Sequence, residues 1–424
     1  MLDIRTLRNT PDIVRDMLRA RGSDPSTVDT VLELDSQWRD KVTERDQLRG
    51  DRKSRSKLIG RTRDPEARAA MIAEVEGIKA AMQAAEQAER GLSEQRDALV
   101  SALPNLLDPR TPEGKGEHDN VVIETVGEPA AFDFDAKPHW DLGTDLGMMD
   151  FERGVKLAGS RFYVLRDDLA RLQRGLISWL LDFHSKGGYR ELYLPFVVRE
   201  KVLFGAGQLP KFRENIYKDG TEDVWLVPTA EIPLTGFHAD EVLSADKLPL
   251  SYSAYTPCFR REKMSHGRDV RGIKRGHQFD KVELYKLTRP EDSEAALDEM
   301  RAHVSRLCEA LGMHYRVLQL CSADIGFGSK ITYDFEAWAP GCKEWLEISS
   351  VSDCGDFQAR RTNLRFRNPD TRKPAWVHTL NGSGLGLPRT MICVMENNQQ
   401  ADGSIRVPDF LQSYVGREVI RPIS

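Results

Sequence analysis

Nowhere in the 424 residues does an apolar run approach the ~18 needed to span a bilayer, and the opening MLDIRTLRNT lacks the apolar core of a secretory signal. Cysteine is sparse: six residues, at 258, 308, 321, 342, 354 and 393, with no C-x-x-C pair among them. That spacing removes the commonest zinc and dithiol signatures. A metal or disulfide at Cys342 and Cys354 stays open, although scattered buried thiols fit the pattern better. An excess of positive charge is missing too. The 61 Lys and Arg stand against 66 Asp and Glu, a net of −5, so any grip on nucleic acid must come from a local patch. With 40% hydrophobic and 30% charged residues, the chain reads as a cytoplasmic protein of two or more domains with highly charged helices.

The first hundred residues are unlike the rest. Thr10 as N-cap with Pro11 and Asp12 in the first turn predicts a short helix to about residue 21. A long helix is expected from about residue 27, where Val31, Leu34 and Trp38 recur at helical spacing. A second is expected over 65–103, where Met71, Val75, Ile78, Met82, Ala85, Leu92 and Leu99 follow a heptad rhythm interrupted by Glu89 and Arg96. Joined by a turn at 60–64, the two helices predict an antiparallel coiled coil. Between residues 41 and 63 it carries nine basic residues against three acidic ones. A solvated coiled-coil face would show more balanced signs. The stripe of Arg45, Arg49, Arg52, Lys53, Arg55 and Lys57 therefore points to a phosphate backbone. Residues 104–115 read as a linker, placing a helical arm over 1–108 and a second domain over 109–424.

The second domain alternates strands with helices. A helix over 169–185 runs into a strand over 188–195 that closes on Pro195. Two strands, 255–259 and 278–284, flank a basic stretch holding Lys263, His266, Arg268, Arg271, Lys274 and Arg275. Such a hairpin suits nucleotide phosphate or an RNA end, a solvated basic hairpin being the alternative. About a hundred residues later, Asn381-Gly382-Ser383-Gly384-Leu385-Gly386-Leu387-Pro388-Arg389 leads into an apolar helix over 390–396. Glycines that let backbone approach a ligand, ending on an Arg at a helix start, form a second phosphate-directed element.

Phe259-Arg260-Arg261-Glu262 followed by Gly384-Leu385-Gly386-Leu387-Pro388-Arg389 resembles motifs 2 and 3 of the class II aminoacyl-tRNA synthetases, with Gly188 and Pro195 at motif 1. The intervening residues resemble the seryl-tRNA synthetase family along nearly the whole chain, from Leu2-Asp3-Ile4-Arg5 to Glu396-Asn397-Asn398-Gln399-Gln400. Two stretches depart from it: Lys263-Met264-Ser265-His266 where the family has Ala-Gly-Ser, and Val351 where it has Cys.

The resemblance implies an α+β protein in which a coiled-coil arm precedes an antiparallel sheet flanked by helices. It implies an ATP-dependent ligase that activates L-serine to seryl-adenylate and transfers it to the 3′-terminal ribose of tRNA(Ser), with tRNA(Sec) left open as a second acceptor. Arg260 would bridge the serine carboxylate and the α-phosphate. Arg389 would meet the γ-phosphate. Glu347 would carry Mg²⁺, a cation that prefers one or two carboxylates plus substrate phosphates. Arg261 and Glu262, with Glu347-Ile348-Ser349-Ser350, would complete the ATP site. Thr229, Ala230 and Glu231, with Glu283 and Ser383, would hold serine, Glu231 at the ammonium and Glu283 at the hydroxyl. A homodimer is implied, one subunit's arm serving the other's active site. Two further readings remain: a synthetase-like protein that loads another acceptor, which leaves the basic arm without purpose, and an RNA-binding scaffold, which leaves the ATP-site residues without purpose.

Overall fold

The computed structural model describes residues 1–263 and 271–423, in two compact units: Leu2–Pro104, and Asn105–Ser424 together with Met1. The Met264, Ser265, His266 and Arg268 of the basic stretch lie outside the described residues.

The first unit is helical: α1 (Ile4–Asn9), α2 (Pro11–Ala20), α3 (Thr27–Ile59) and α4 (Pro65–Ala102). Proline opens α2 and α4, where its missing N–H costs nothing, and the Asp64 carboxylate accepts from the N–H of Glu66. Thr10 does precede α2 but does not cap it. Its hydroxyl donates back to the Thr6 carbonyl at 3.1 Å, which removes it from the orphan N–H groups. The heptad residues of α4 are each shielded, with Ala85 fully buried. The polar interruptions turn out to be cross-helix ion pairs: Arg45 donates to Glu89 at 2.6 Å and Arg96 to Asp35 at 3.1 Å. Asp35 is wholly buried and also accepts from Arg8 (2.6 and 2.7 Å) and Arg39 (3.2 Å), while Arg96 lies over the Trp38 ring.

The second unit is built on an eight-stranded sheet: β1 (Val121–Val126), β2 (Arg190–Glu191), β3 (Leu250–Phe259), β4 (Gln278–Thr288), β5 (Tyr315–Gln319), β6 (Ile331–Ala339), β7 (Glu344–Gly355) and β8 (His378–Gly386). Their order is β1-β5-β6-β7-β8-β4-β3-β2. All pairings are antiparallel except β2 with β3. The expected hairpin is longer at both outer ends than 255–259 and 278–284, because the paired strands stay buried through Tyr252 and Leu287. The strand expected over 188–195 shrinks to Arg190–Glu191, only part of that stretch pairing with β3. Three long helices, α5 (Asp167–Lys186), α7 (Ser293–Ala310) and α9 (Leu387–Asn397), share one continuous core with the sheet. Two short ones, α6 (Glu231–Gly236) and α8 (Phe357–Thr362), border the cleft described below. Val351 is fully buried opposite Gly382, so its departure from the family pattern is a packing substitution. All six cysteines are free, five of them buried, and no described helix is long and apolar enough to cross a membrane.

Asp35 holds three arginines around one buried carboxylate, so its removal strands charge at the base of the hairpin. Burial alone would raise its pKa, but hydrogen bonds from Arg8 and Arg96 outweigh that and hold it low. Its stabilisation is therefore present above the ordinary carboxylate pKa and lost as pH falls through the depressed one. Asp35→Ala should cost about 2 kcal/mol and accelerate amide hydrogen exchange in the base of α3 and α4; unchanged protection there would refute the role.

Candidate active site

Three adjacent strands carry the site. β8 leaves regular pairing with β4 between Ser383 and Gly386, and within that bulge the buried Leu385 adopts a φ of +85°. A left-handed leucine costs on the order of 1–3 kcal/mol and persists only where surroundings over-determine it. They do. His184 of α5 donates from Nε2 to the Gly384 carbonyl at 3.1 Å, and its Nδ1 accepts from His303 of α7 at 2.8 Å. A Cβ on Gly384 would fall 2.4 Å from that His184 nitrogen, so only glycine fits. Burial lowers the pKa of His184 to about 3 and of His303 to about 4, leaving both neutral near pH 7.

Two adjoining cavities open here, sharing Arg260, Glu262 and Arg275. The larger, about 720 Å³, includes Thr229, Glu231, Asn381, Gln358 and Cys354 in its lining. The smaller, about 180 Å³, includes Lys281, Glu347, Ile348, Ser383 and Arg389. Arg260 is oriented by donation from Nε to the Pro228 carbonyl (3.1 Å) and lies over the Phe279 ring (5.0 Å). Glu262, at a φ of +49°, accepts from Arg275 at 3.2 Å. Arg389 donates to the Glu347 carbonyl and carboxylate at 2.8 and 3.0 Å, so those two expected ATP-site residues pair with each other.

Glu231 accepts from Gln358 (2.7 Å) and Asn381 (3.2 Å). Its enclosure, then the nearby Glu283, raise its pKa to about 7. Glu283 is buried beneath the cleft, where it accepts from Thr229 at 3.1 Å and is ion-paired with Lys281. Burial pushes its pKa up, against the pull of Lys281, Thr229 and Arg260.

The remaining sequence candidates stand farther from the open space. Ala230 is buried beside Thr229, and Ser349 is buried with its hydroxyl donating to the Ser383 carbonyl at 2.6 Å, so both support the wall. Ser350 faces Asp334 across the β6–β7 register. Arg261 is exposed, its guanidinium 5.0 Å from the Tyr217 ring and outside both cavity linings. Arg275, from the basic stretch, and Asn381, from the glycine-rich element, line the cleft as well, and so does Gln358, which was given no role from the sequence. The signal available for Gln358 was polarity beside apolar neighbours, which is too common to be selective.

Next to Glu347, a third cavity of about 420 Å³ presents Asp324, Asp334, Glu336 and Glu344, with Arg275 and Arg389 on its wall. Asp334 Oδ1 is buried and has no hydrogen-bond partner among the described residues. Burial, then the charge of Glu347, hold its pKa well above the carboxylate range. His139, Cys342 and Glu396 also converge at metal-ligand spacing. Their hydrogen bonds assign them otherwise. The Ile273 N–H donates to His139 Nε2 at 3.1 Å, which leaves the ring proton on Nδ1 facing Glu396 at 2.9 Å. Glu396 accepts further from the His139 N–H and from the Cys342 N–H and thiol, and so is satisfied without an ion.

Residues 1–107 match the family described as the seryl-tRNA synthetase N-terminal domain, and residues 212–398 that of the tRNA synthetase class II core domain (G, H, P, S and T). The chain is 54% identical over 422 residues to the serine–tRNA ligase of Roseiflexus sp. (strain RS-1), covering 99% of this chain and 100% of that one. It is 51% identical to that of Chloroflexus aurantiacus, covering 98% of each. Among solved structures, the seryl-tRNA synthetase of Pyrococcus horikoshii complexed with ATP superposes with a TM-score of 0.94 at 36% identity, covering 100% of both chains. The cytoplasmic serine–tRNA ligase of Naegleria fowleri in complex with AMP follows at 0.88 and 29%, covering 100% of this chain and 99% of that one. An arm of two long antiparallel helices, a class II antiparallel sheet and full-length likeness to named ligases converge: the chain belongs to the seryl-tRNA synthetase family, the ATP-dependent serine–tRNA ligases of class II.

Proposed function

We propose that this chain activates L-serine in the larger cavity and ATP across the smaller one, and then transfers serine to tRNA(Ser). The observation that carries the reading is the sharing of Arg260 by both cavities, with Glu231 on one side and Arg389 on the other. In the first step a serine carboxylate oxygen attacks the α-phosphorus. The acyl–phosphate bond forms as the bond to the β-phosphate oxygen breaks, and pyrophosphate leaves. In the second, a terminal ribose hydroxyl of tRNA attacks the acyl carbon and AMP leaves. No protein nucleophile is needed; the work is alignment and charge neutralisation.

Arg260, which lines both cavities, would meet both the serine carboxylate and the α-phosphate. Arg389 would exchange Glu347 for the γ-phosphate. Glu262 would serve the adenine end, with Ile348 and the wall residue Ser349 shaping the smaller cavity and Arg261 acting at its margin. Glu231 would take the substrate ammonium. Glu283 and Ser383 would read its hydroxyl, with Thr229 orienting Glu283 and Ala230 closing the pocket floor. Alanine would then leave buried acceptors unpaired, and threonine would meet a closed wall. Mg²⁺ fits beside the orphaned Asp334 oxygen, with Glu347 and Ser350 adjoining, and when bound it would neutralise phosphate charge. Residues 1–108 would form the tRNA-binding arm and 109–424 the catalytic domain, acting in the cytoplasm as a homodimer. On the arm, Arg49, Arg52, Lys53 and Lys57 would meet the backbone. Arg45 and Arg55 are already bound to Glu89 and Glu74 and would contribute less.

Arg260→Ala should lower serine-dependent ATP–pyrophosphate exchange by at least about a hundredfold; retained exchange would remove Arg260 from the chemistry. Deleting residues 43–94 should leave that exchange intact while tRNA charging falls by roughly tenfold or more, and equal charging would refute the arm's role. Because Glu231 titrates near 7 in the free enzyme, kcat/KM for serine should fall as pH drops through that value and the carboxylate protonates. Glu231→Gln should flatten that limb; a limb that persists unchanged in the variant belongs to another group.

A further inference from the structure

We propose that Lys281 is a positioning and specificity residue of the serine pocket, its ammonium fixing Glu283 as an oriented carboxylate for the substrate hydroxyl. The inference rests on the adenylation reading above.

Lys281 and Glu283 are two apart on β4, so their side chains share one face. The neighbours of Glu283 across the sheet are Ala254 and Ser383, and those of Lys281 are Thr256 and Gly386. These small residues leave room for two long side chains to lie together. The side chains are 11% and 2% exposed, and the ammonium is ion-paired with Glu283 Oε2, the same oxygen that accepts from Thr229 at 3.1 Å. Two donors on one oxygen hold the carboxylate's rotation, and neither of them is spent on Oε1. Lys281 itself lines the smaller cavity with Arg260, Glu347 and Ser383.

Charge explains why a lysine stands there. Glu231 and Glu283 face the same substrate, and each raises the cost of ionising the other. The other groups around them are Arg260, Lys281, the Cys258 and Cys354 thiols, the Tyr285 phenol and the neutral donors Thr229, Gln358 and Asn381. Arg260 is to be engaged by the serine carboxylate and the phosphate. Lys281 is then the cation left to balance the second carboxylate. Without it the two acids share a proton, and the hydroxyl meets a neutral acid instead of a charged acceptor. A buried ion pair contributes little to stability against an apolar replacement, so strand cohesion is a weak account of this one.

Serine- and alanine-dependent pyrophosphate exchange across pH tests this, using the full-length wild type, Lys281→Met, Lys281→Arg, Glu283→Gln and the Lys281→Met/Glu283→Gln double variant. Lys281→Met should raise the serine KM and narrow serine-over-alanine discrimination by about tenfold. It should also move the acidic limb of kcat/KM to higher pH, and Lys281→Arg should restore much of each. Once Glu283 is neutral, adding Lys281→Met should not change discrimination further, although the limb still moves because Lys281 also eases the ionisation of Glu231; the uncharged double variant keeps the discrimination comparison available if Lys281→Met alone does not fold. Unchanged discrimination in Lys281→Met, or discrimination losses that simply add in the double variant, would overturn the proposal. No serine-dependent exchange in the wild type would instead overturn the adenylation reading on which it rests.

Discussion

Two carboxylates, Glu231 lining the larger cavity and Glu283 buried beneath it, stand close together, and that proximity governs the catalytic unit. Glu231 and Glu283 lie close enough for each to raise the other's ionisation cost, within an enclosure that opposes charge in both. The compensation comes from different parts of the chain: Arg260 at the end of β3, Lys281 on β4, Thr229 before α6, Gln358 on α8 and Asn381 on β8. A substrate carrying both an ammonium and a carboxylate fits such a pocket, because it meets charge of both signs in a fixed order. Enclosure and the nearby Glu283 push the pKa of Glu231 up to about 7, so its ionised form is stabilised best when a cation arrives.

Holding these groups in place depends on ties that cross the sheet. The strained bulge at Leu385 is held from one side by the pair of neutral histidines on α5 and α7. It is held from the other by the Ser349 hydroxyl on the Ser383 carbonyl. At the far end of α9, Glu396 gathers four donors from His139 and Cys342, and His139 in turn accepts the Ile273 N–H. Helix α9 therefore carries Arg389 at its start and anchors, near its end, the segment that presents Arg275 to the cleft. Cleft-lining arginines from two distant stretches share one rigid support, which suits a reaction whose catalysis is alignment.

Much of this was legible in the order of the residues. Heptad and helical spacing located α3 and α4, and two apolar segments flanking a basic stretch located the hairpin. The pattern from Arg260 to Arg389 drew the cleft residues together because glycine and arginine at those offsets are rare by chance. What stayed hidden depends on register and distance. Whether Ser383 stands beside Glu283, or Asp334 opposite Ser350, is fixed by which strands pair, and a single strand's sequence does not hold that. Thr10 misled because a threonine hydroxyl can bond backward as well as forward. Glu89 and Arg96 read as flaws in the heptad, yet each completes an ion pair with the opposite helix.

Those pairs also sharpen the account of the arm's basic stripe. Composition alone counts Arg45 and Arg55 with the rest, but Glu89 and Glu74 already neutralise them. Arg49, Lys53 and Lys57 are different: all are exposed, and no ion pair ties them among the described residues. They recur every fourth residue and so fall along one side of α3. Like charges at that spacing repel, costing about 0.2–0.5 kcal/mol per pair in an isolated helix. Intervening acids would relieve the repulsion, yet the positions between them supply only Asp51. A polyanion laid along that side would relieve it too, releasing counterions as it binds. The stripe is thus poorly arranged for a helix standing alone in water and well arranged for one that meets a phosphate backbone, which is the use proposed for it.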